Sequence, residues 1–122
     1  MTQKFEVLLV TPPSRDIVFQ GLGKNLTAIE PPVWSTLMAT FLLRKGVSVA
    51  ILDAEAESLG FDATASRIVD TGALLTVFVI YGHQPSASTQ CMPAGRAVAQ
   101  RVCRDAPHLN TMVMGTHASA LP

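Results

Sequence analysis

Residues 74–90, LLTVFVIYGHQPSASTQ, are the stretch on which the fold turns. From Leu74 to Tyr81 the residues are apolar or β-branched, with no alternation of polar positions. Such a run suits a strand buried on both faces, as in a parallel sheet covered by helices. At Gly82 the character changes. His83, Gln84, Ser86, Ser88, Thr89 and Gln90 then crowd polar groups around Pro85. In an open α/β sheet, ligands bind beyond the carboxyl ends of the strands, near the point where strand order reverses. A buried strand that runs into a loop of small and polar residues is therefore a signal for both fold and site.

Upstream, Phe5 to Val10 reads as a first strand, stopped at Thr11-Pro12-Pro13 because proline cannot donate to a sheet ladder. Ser14 to Glu30 shows no period and reads as a long loop that covers a ligand or meets a second domain, or else as a disordered excursion. A helix is expected to begin at Pro32 or Val33 and to end in Arg44, Lys45 and a left-handed Gly46. Val33, Leu37, Met38, Phe41 and Leu42 recur at helical spacing. Trp34, Ala39 and Leu43 make this helix apolar nearly all round, which predicts deep burial. Val47 to Leu52 is a second strand ending at Asp53. That carboxylate reads as a strand-end turn residue in preference to a ribose ligand, and Glu55 and Glu57 beyond it read as a solvated edge. Asp62 is placed as the cap of a helix that buries Ala65, Ile68 and Val69 and stops at Gly72.

Downstream, Ser88 or Thr89 is expected to cap a helix whose body runs from Pro93 to about Asp105, with Ala94, Ala97, Val98 and Val102 on one stripe. Asn110 to Met114 is a fourth strand, followed by the loop Gly115-Thr116-His117-Ala118. The alternation β-α-β-α-β-α-β predicts an α/β, Rossmann-like, doubly wound parallel sheet with helices on both faces. The expected strand order is 2-1-3-4. Strands one and three then flank the reversal, and the loops at 11–13, 82–89 and 115–118 share one rim.

Composition narrows the function. The 122 residues suffice for one domain; 48% are hydrophobic and only 15% charged. Nine basic residues balance nine acidic ones, so there is no cationic field for nucleic acid. The apolar runs are too short and interrupted to span a membrane, and MTQKFEVLLVTPP lacks the features of a signal peptide. A cytoplasmic protein is the expectation. Cys91 and Cys103 form no CxxC pair and read as small hydrophobes. The phosphate-binding pattern GxxxxGK[ST] is absent. Gly21-Leu22-Gly23 begins a GxGxxG, but Leu26 stands at the third glycine. No GxSxG elbow supports a hydrolase built from Ser86 or Ser88 with His83 or His117. Those two histidines lack an obvious carboxylate or thiolate to complete a metal site. What remains is a polar crevice over an apolar floor, suited to a large uncharged-to-zwitterionic ligand with many amides.

Four pieces, in order, carry a family resemblance: VLLVTPP at 7–13, PPVWSTLMATFLLRKGVSVAILDAEAE at 31–57, the third strand with its serine-rich loop, and GTHASALP at 115–122. Together they resemble the N-terminal cobalamin-binding domain of B12-dependent radical S-adenosylmethionine enzymes of the methyltransferase type. The last piece is similar to that family's Gly-Gly-Pro-His-Ala-Thr-Ala-Leu-Pro segment. It departs from it at Thr116, where proline is usual, and at Met114, where a second glycine is usual. The resemblance implies that the rim binds cobalamin. Tyr81, Gly82, His83, Gln84, Ser86, Ser88, Thr89, Gly115, Thr116, His117 and Ala118 would contact its nucleotide tail, and Thr11, Pro12 and Pro13 would lie near the corrin ring. The Asp-x-His-x-x-Gly motif of methionine-synthase-like proteins is absent, so no axial histidine is implied. The CxxxCxxC motif is also absent, and two cysteines cannot hold a [4Fe-4S] cluster. The cluster, S-adenosylmethionine and the radical reaction are thus expected in a separate catalytic domain, with this chain a domain of a longer enzyme or a stand-alone module that is not catalytic alone. The alternatives are a corrinoid-free flavodoxin-like or receiver-like interaction module, or a small hydrolase using Ser86 or Ser88 with His83 or His117.

Overall fold

The computed structural model describes residues 5–22, 28–81 and 85–122, with side chains for all of these but 85 and 86. Four strands, β1 (Val7–Thr11), β2 (Val49–Asp53), β3 (Leu75–Val79) and β4 (Asn110–Met114), form one sheet. Its order is β2-β1-β3-β4 and every pairing is parallel, as the alternation predicts. Val10 lies between Leu52 and Phe78 in the register, so β1 and β3 are the two interior strands. Among the described residues five helices accompany them: α1 (Arg15–Phe19), α2 (Val33–Arg44), α3 (Phe61–Thr71), α4 (Pro85–Asp105) and α5 (Thr116–Ala120).

The two-residue period of the strands sorts the core into two layers. Leu8, Val10, Phe78 and Ile80 point to one face and pack with Ala65 and Ile68 of α3 and Val98 and Val102 of α4. Leu9, Val77 and Val79 point to the other and pack with Ala39 of α2. Val69 is half-buried and Gly72, in the left-handed conformation, ends α3 as expected. Cys91 packs against the core and Cys103 is exposed; both are free thiols. The exposed neighbours Arg104 and Asp105 pair at the end of α4; their hydrogen bond raises the guanidinium pKa and lowers that of the carboxyl.

The structure corrects several local expectations. Strand β1 continues through Thr11, and β2 begins only at Val49. The described part of the 14–30 segment contains the short helix α1. Asp62 lies inside the first turn of α3, whose N-cap is Gly60. Residues 115–118 are not a loop: α5 begins at Thr116, and Ser119 N–H reaches back to the Gly115 carbonyl. Helix α4 starts at Pro85, not near Pro93. Proline at a first helical position lacks only an N–H that would be unpaired anyway, so Pro85 is the better start. Pro93 sits within the helix, on its exposed side. Ser88 and Thr89 are consequently helical residues, not caps.

Helix α2 begins and ends as expected, and Gly46 just beyond it is left-handed. Its burial is the main surprise. Only Ser35 and Ala39 of this helix are fully buried, while Trp34, Leu37 and Phe41 are more than half exposed. Small side chains set against the sheet let the helix sit close, which leaves the larger residues outside. Periodicity also cannot report that α2 is the sole helix of the described residues packed on its face.

Candidate functional site

The order β2-β1-β3-β4 fixes which segments meet. The carboxyl ends of β1 and β3 are neighbours at the point of reversal, with the end of β2 on one side and that of β4 on the other. Thr11 closes β1, and its carbonyl accepts from Ala54 N–H at 3.0 Å. Pro12 is buried beside Gly95 of α4: a Cβ on Gly95 would lie 2.6 Å from Ile80 Cδ1 and 3.8 Å from Pro12 Cγ. Pro13 is half-buried and lines a cavity next to β2. Tyr81, two residues past β3, stacks on Trp34 with ring centroids 5.1 Å apart and planes at 29°. Trp34 belongs to the first turn of α2, so the pair forms an aromatic shelf at the reversal.

Between β3 and β4 the rim is held shut by one side chain. Ser88 is fully buried and donates its hydroxyl to the Ile80 carbonyl at 2.6 Å. The same oxygen accepts from the backbone N–H of His117 at 3.2 Å. Ile80 N–H in turn donates to Met114 O at 2.8 Å. Three elements, β3, α4 and the β4–α5 turn, are thereby tied at one point. Gly115 is required there: its φ is +146°, and a Cβ would stand 2.0 Å from Ile80 O. Ser88→Ala is expected to lower stability by about 1–3 kcal/mol, because the Ile80 carbonyl and the His117 N–H lose their buried partner. Urea denaturation with an unchanged slope measures this; a wild-type midpoint would show that the brace is dispensable.

Outside the brace, Thr89 is exposed and His117 half-buried. Thr89 Oγ1 and His117 Nδ1 are 3.0 Å apart. Thr116 is exposed and Ala118 half-buried. Gly82, His83, Gln84 and the side chain of Ser86 lie outside the described residues. A serine hydrolase finds no support in what is described. The Ser88 hydroxyl meets the backbone of His117 and not its imidazole, so no nucleophile–base pair forms between them. Asp53 accepts from Ala56 N–H at 3.1 Å, the behaviour of a turn residue. No group of three or more His, Cys, Asp or Glu side chains suited to a metal ion occurs among the described residues, and no described helix is long and apolar enough to cross a membrane.

Sequence reasoning missed two features of the rim. Glu55, read as part of a solvated edge, has a side chain only 17% exposed. Its Oε1 accepts from Arg15 N–H at 2.6 Å and lies 3.4 Å from the Ser14 hydroxyl, so it caps α1 from across the rim. These partners are separated by 40 and 41 positions, and no local pattern announces them. Trp34 is the other: with Ala39 and Leu43 it makes α2 apolar nearly all round, which predicts burial, yet it is half exposed. That a helix expected to start at the rim carries tryptophan in its first turn was the available clue.

Comparison with known proteins finds no matching family model, no matching curated protein and no matching solved structure.

Proposed function

We propose that this chain is a cobalamin-binding module that holds the cofactor at the carboxyl rim of its sheet and presents it to a radical S-adenosylmethionine domain in the same or another polypeptide. The observation that carries this reading is the strand order. It brings to one rim the Thr11–Pro13 turn, Tyr81 beyond β3 and residues 115–118, which belong to three of the four segments in which the sequence resembles that family. A crevice at the reversal of an open α/β sheet is where such a ligand binds.

The chemistry of the rim fits a large neutral ligand. Thr89 and His117 offer a hydroxyl and an imidazole, and Tyr81 with Trp34 offers a flat apolar shelf. The brace of Ser88 and Gly115 is the floor beneath these groups, so their role is to fix the spacing of the rim. The nucleotide tail would lie over that floor beside Tyr81 and Thr89, and the corrin ring over Thr11, Pro12 and Pro13. Cobalamin supplies a cobalt centre able to relay a methyl group. The iron–sulfur cluster and S-adenosylmethionine belong to the partner domain, because two separated cysteines cannot ligate the cluster.

Incubation of the chain with hydroxocobalamin, followed by desalting, tests this reading. The protein fraction is expected to carry the visible absorbance of the corrinoid in a stoichiometry near one. Colourless protein with a native circular dichroism spectrum would rule it out.

A further inference from the structure

A cavity of about 480 Å³ opens between the ends of β1 and β2, lined by Pro13, Arg15, Asp16, Ala54, Glu55 and Leu59 among others. It lies on the far side of β1 from the Ser88 brace. Arg15 Nε is buried and has no hydrogen-bond partner. Glu55 Oε2 stands 3.8 Å from it, too far for a hydrogen bond. The other carboxylate oxygen is already engaged by Arg15 N–H and lies near the Ser14 hydroxyl, which holds the carboxylate in place. Arg15 Nε and Glu55 Oε2 therefore form an ion pair that no hydrogen bond closes, which leaves a donor beside a held acceptor at the cavity wall.

We infer that this cavity recognises a primary carboxamide group, with Arg15 Nε donating to its carbonyl oxygen and Glu55 Oε2 accepting from its amino group. The oxygen and nitrogen of a carboxamide lie roughly 2.3 Å apart, as C=O and C–N bond lengths require. Two slightly splayed hydrogen bonds therefore bridge donor and acceptor atoms at the observed separation. The charges of the lining argue the same way. Glu55 and Asp16 oppose a single Arg15, so a phosphate or carboxylate would face more negative than positive charge. An ammonium group has no acceptor for the Arg15 N–H and would leave it orphaned. A neutral group with one acceptor and one donor on the same carbon satisfies both. Pro13, Ala54 and Leu59 supply apolar wall for the methylene stem behind it.

This inference rests on the proposed function, since the rim of a corrin ring carries side chains that end in primary carboxamides. It adds which residues read one of them. Glu55→Gln keeps an oxygen for the cap of α1 and replaces the Oε2 acceptor by a donor. The site would then present two donors and favour a carboxylate. Hydroxocobalamin and the set of its monocarboxylic acids, each with one peripheral amide hydrolysed, are titrated against both proteins by visible absorbance. Wild-type protein is expected to bind the intact amide form at least tenfold better than one of the acids, and Glu55→Gln to reverse that preference for the same acid. Equal affinities in both proteins, or a loss of thermal stability without any change in preference, would overturn the carboxamide site while leaving cobalamin binding in place. Failure of the wild-type protein to bind any of these corrinoids would overturn the proposed function and this site with it.

Discussion

Gly115→Ala is expected to destabilise the protein by roughly 3–4 kcal/mol, combining a backbone penalty of about 1–3 kcal/mol with disruption of buried hydrogen bonds. Two independent causes converge on this residue. Its φ of +146° and ψ of 172° lie in a region populated almost solely by glycine. The added Cβ would also meet the Ile80 carbonyl at 2.0 Å and its carbon at 2.8 Å, and both atoms are backbone. No rotamer change relieves such a contact. The end of β4 must retreat from the end of β3, which strains the Ile80–Met114 and Ser88–Ile80 hydrogen bonds together. For a domain of this size the melting temperature should fall by roughly 10 °C or more. A change under about 0.5 kcal/mol, the range of an ordinary surface substitution, would mean that the β3–β4 rim is loose.

Phe78→Ala should be at least as damaging, at about 3–5 kcal/mol. Phe78 is the largest of the fully buried side chains and belongs to the core beneath α3 and α4. Its neighbours in that core include Val10 of the adjacent strand and Val98 of α4. Truncation leaves a void bounded by a sheet and two helices, none free to collapse without disturbing the others. Phe41→Ala is the matched control. Phe41 is 61% exposed and meets the Lys45 ammonium at 5.6 Å from its ring centre, so its loss should cost no more than about 1 kcal/mol. If the two phenylalanines prove equivalent in denaturant melts, the assignment of the core to the α3–α4 face is wrong.

The sheet was legible because each strand announces itself locally. VLLVT, VAILD and LTVFV are short apolar runs closed by proline, aspartate or glycine, and alternation with helical segments leaves few allowed topologies. The start of α4 was not legible. Pro93 looks like a first-turn proline as much as Pro85 does, and the helix runs from Pro85 through both, with Ser88 and Thr89 bonded to Ile80 and His117 across the rim. The exposure of α2 was hidden for a different reason. A periodic pattern states which residues can be buried; it does not state how many elements are present to bury them. The pairing of Glu55 with Arg15 depends on the turn after β2 meeting the start of α1 at the same rim, which follows from the strand order but from no feature of either segment.

The stacking of Trp34 on Tyr81 gives this molecule a built-in optical reporter. The chain contains one tryptophan and one tyrosine, and they face each other at 5.1 Å at the sheet's point of reversal. Light absorbed by the phenol passes to the indole at that range, so the emission of the unlabelled protein comes from a single place. A ligand that settles on the shelf, or a shift of α2 away from β3, changes that emission directly, and no second fluorophore dilutes the signal.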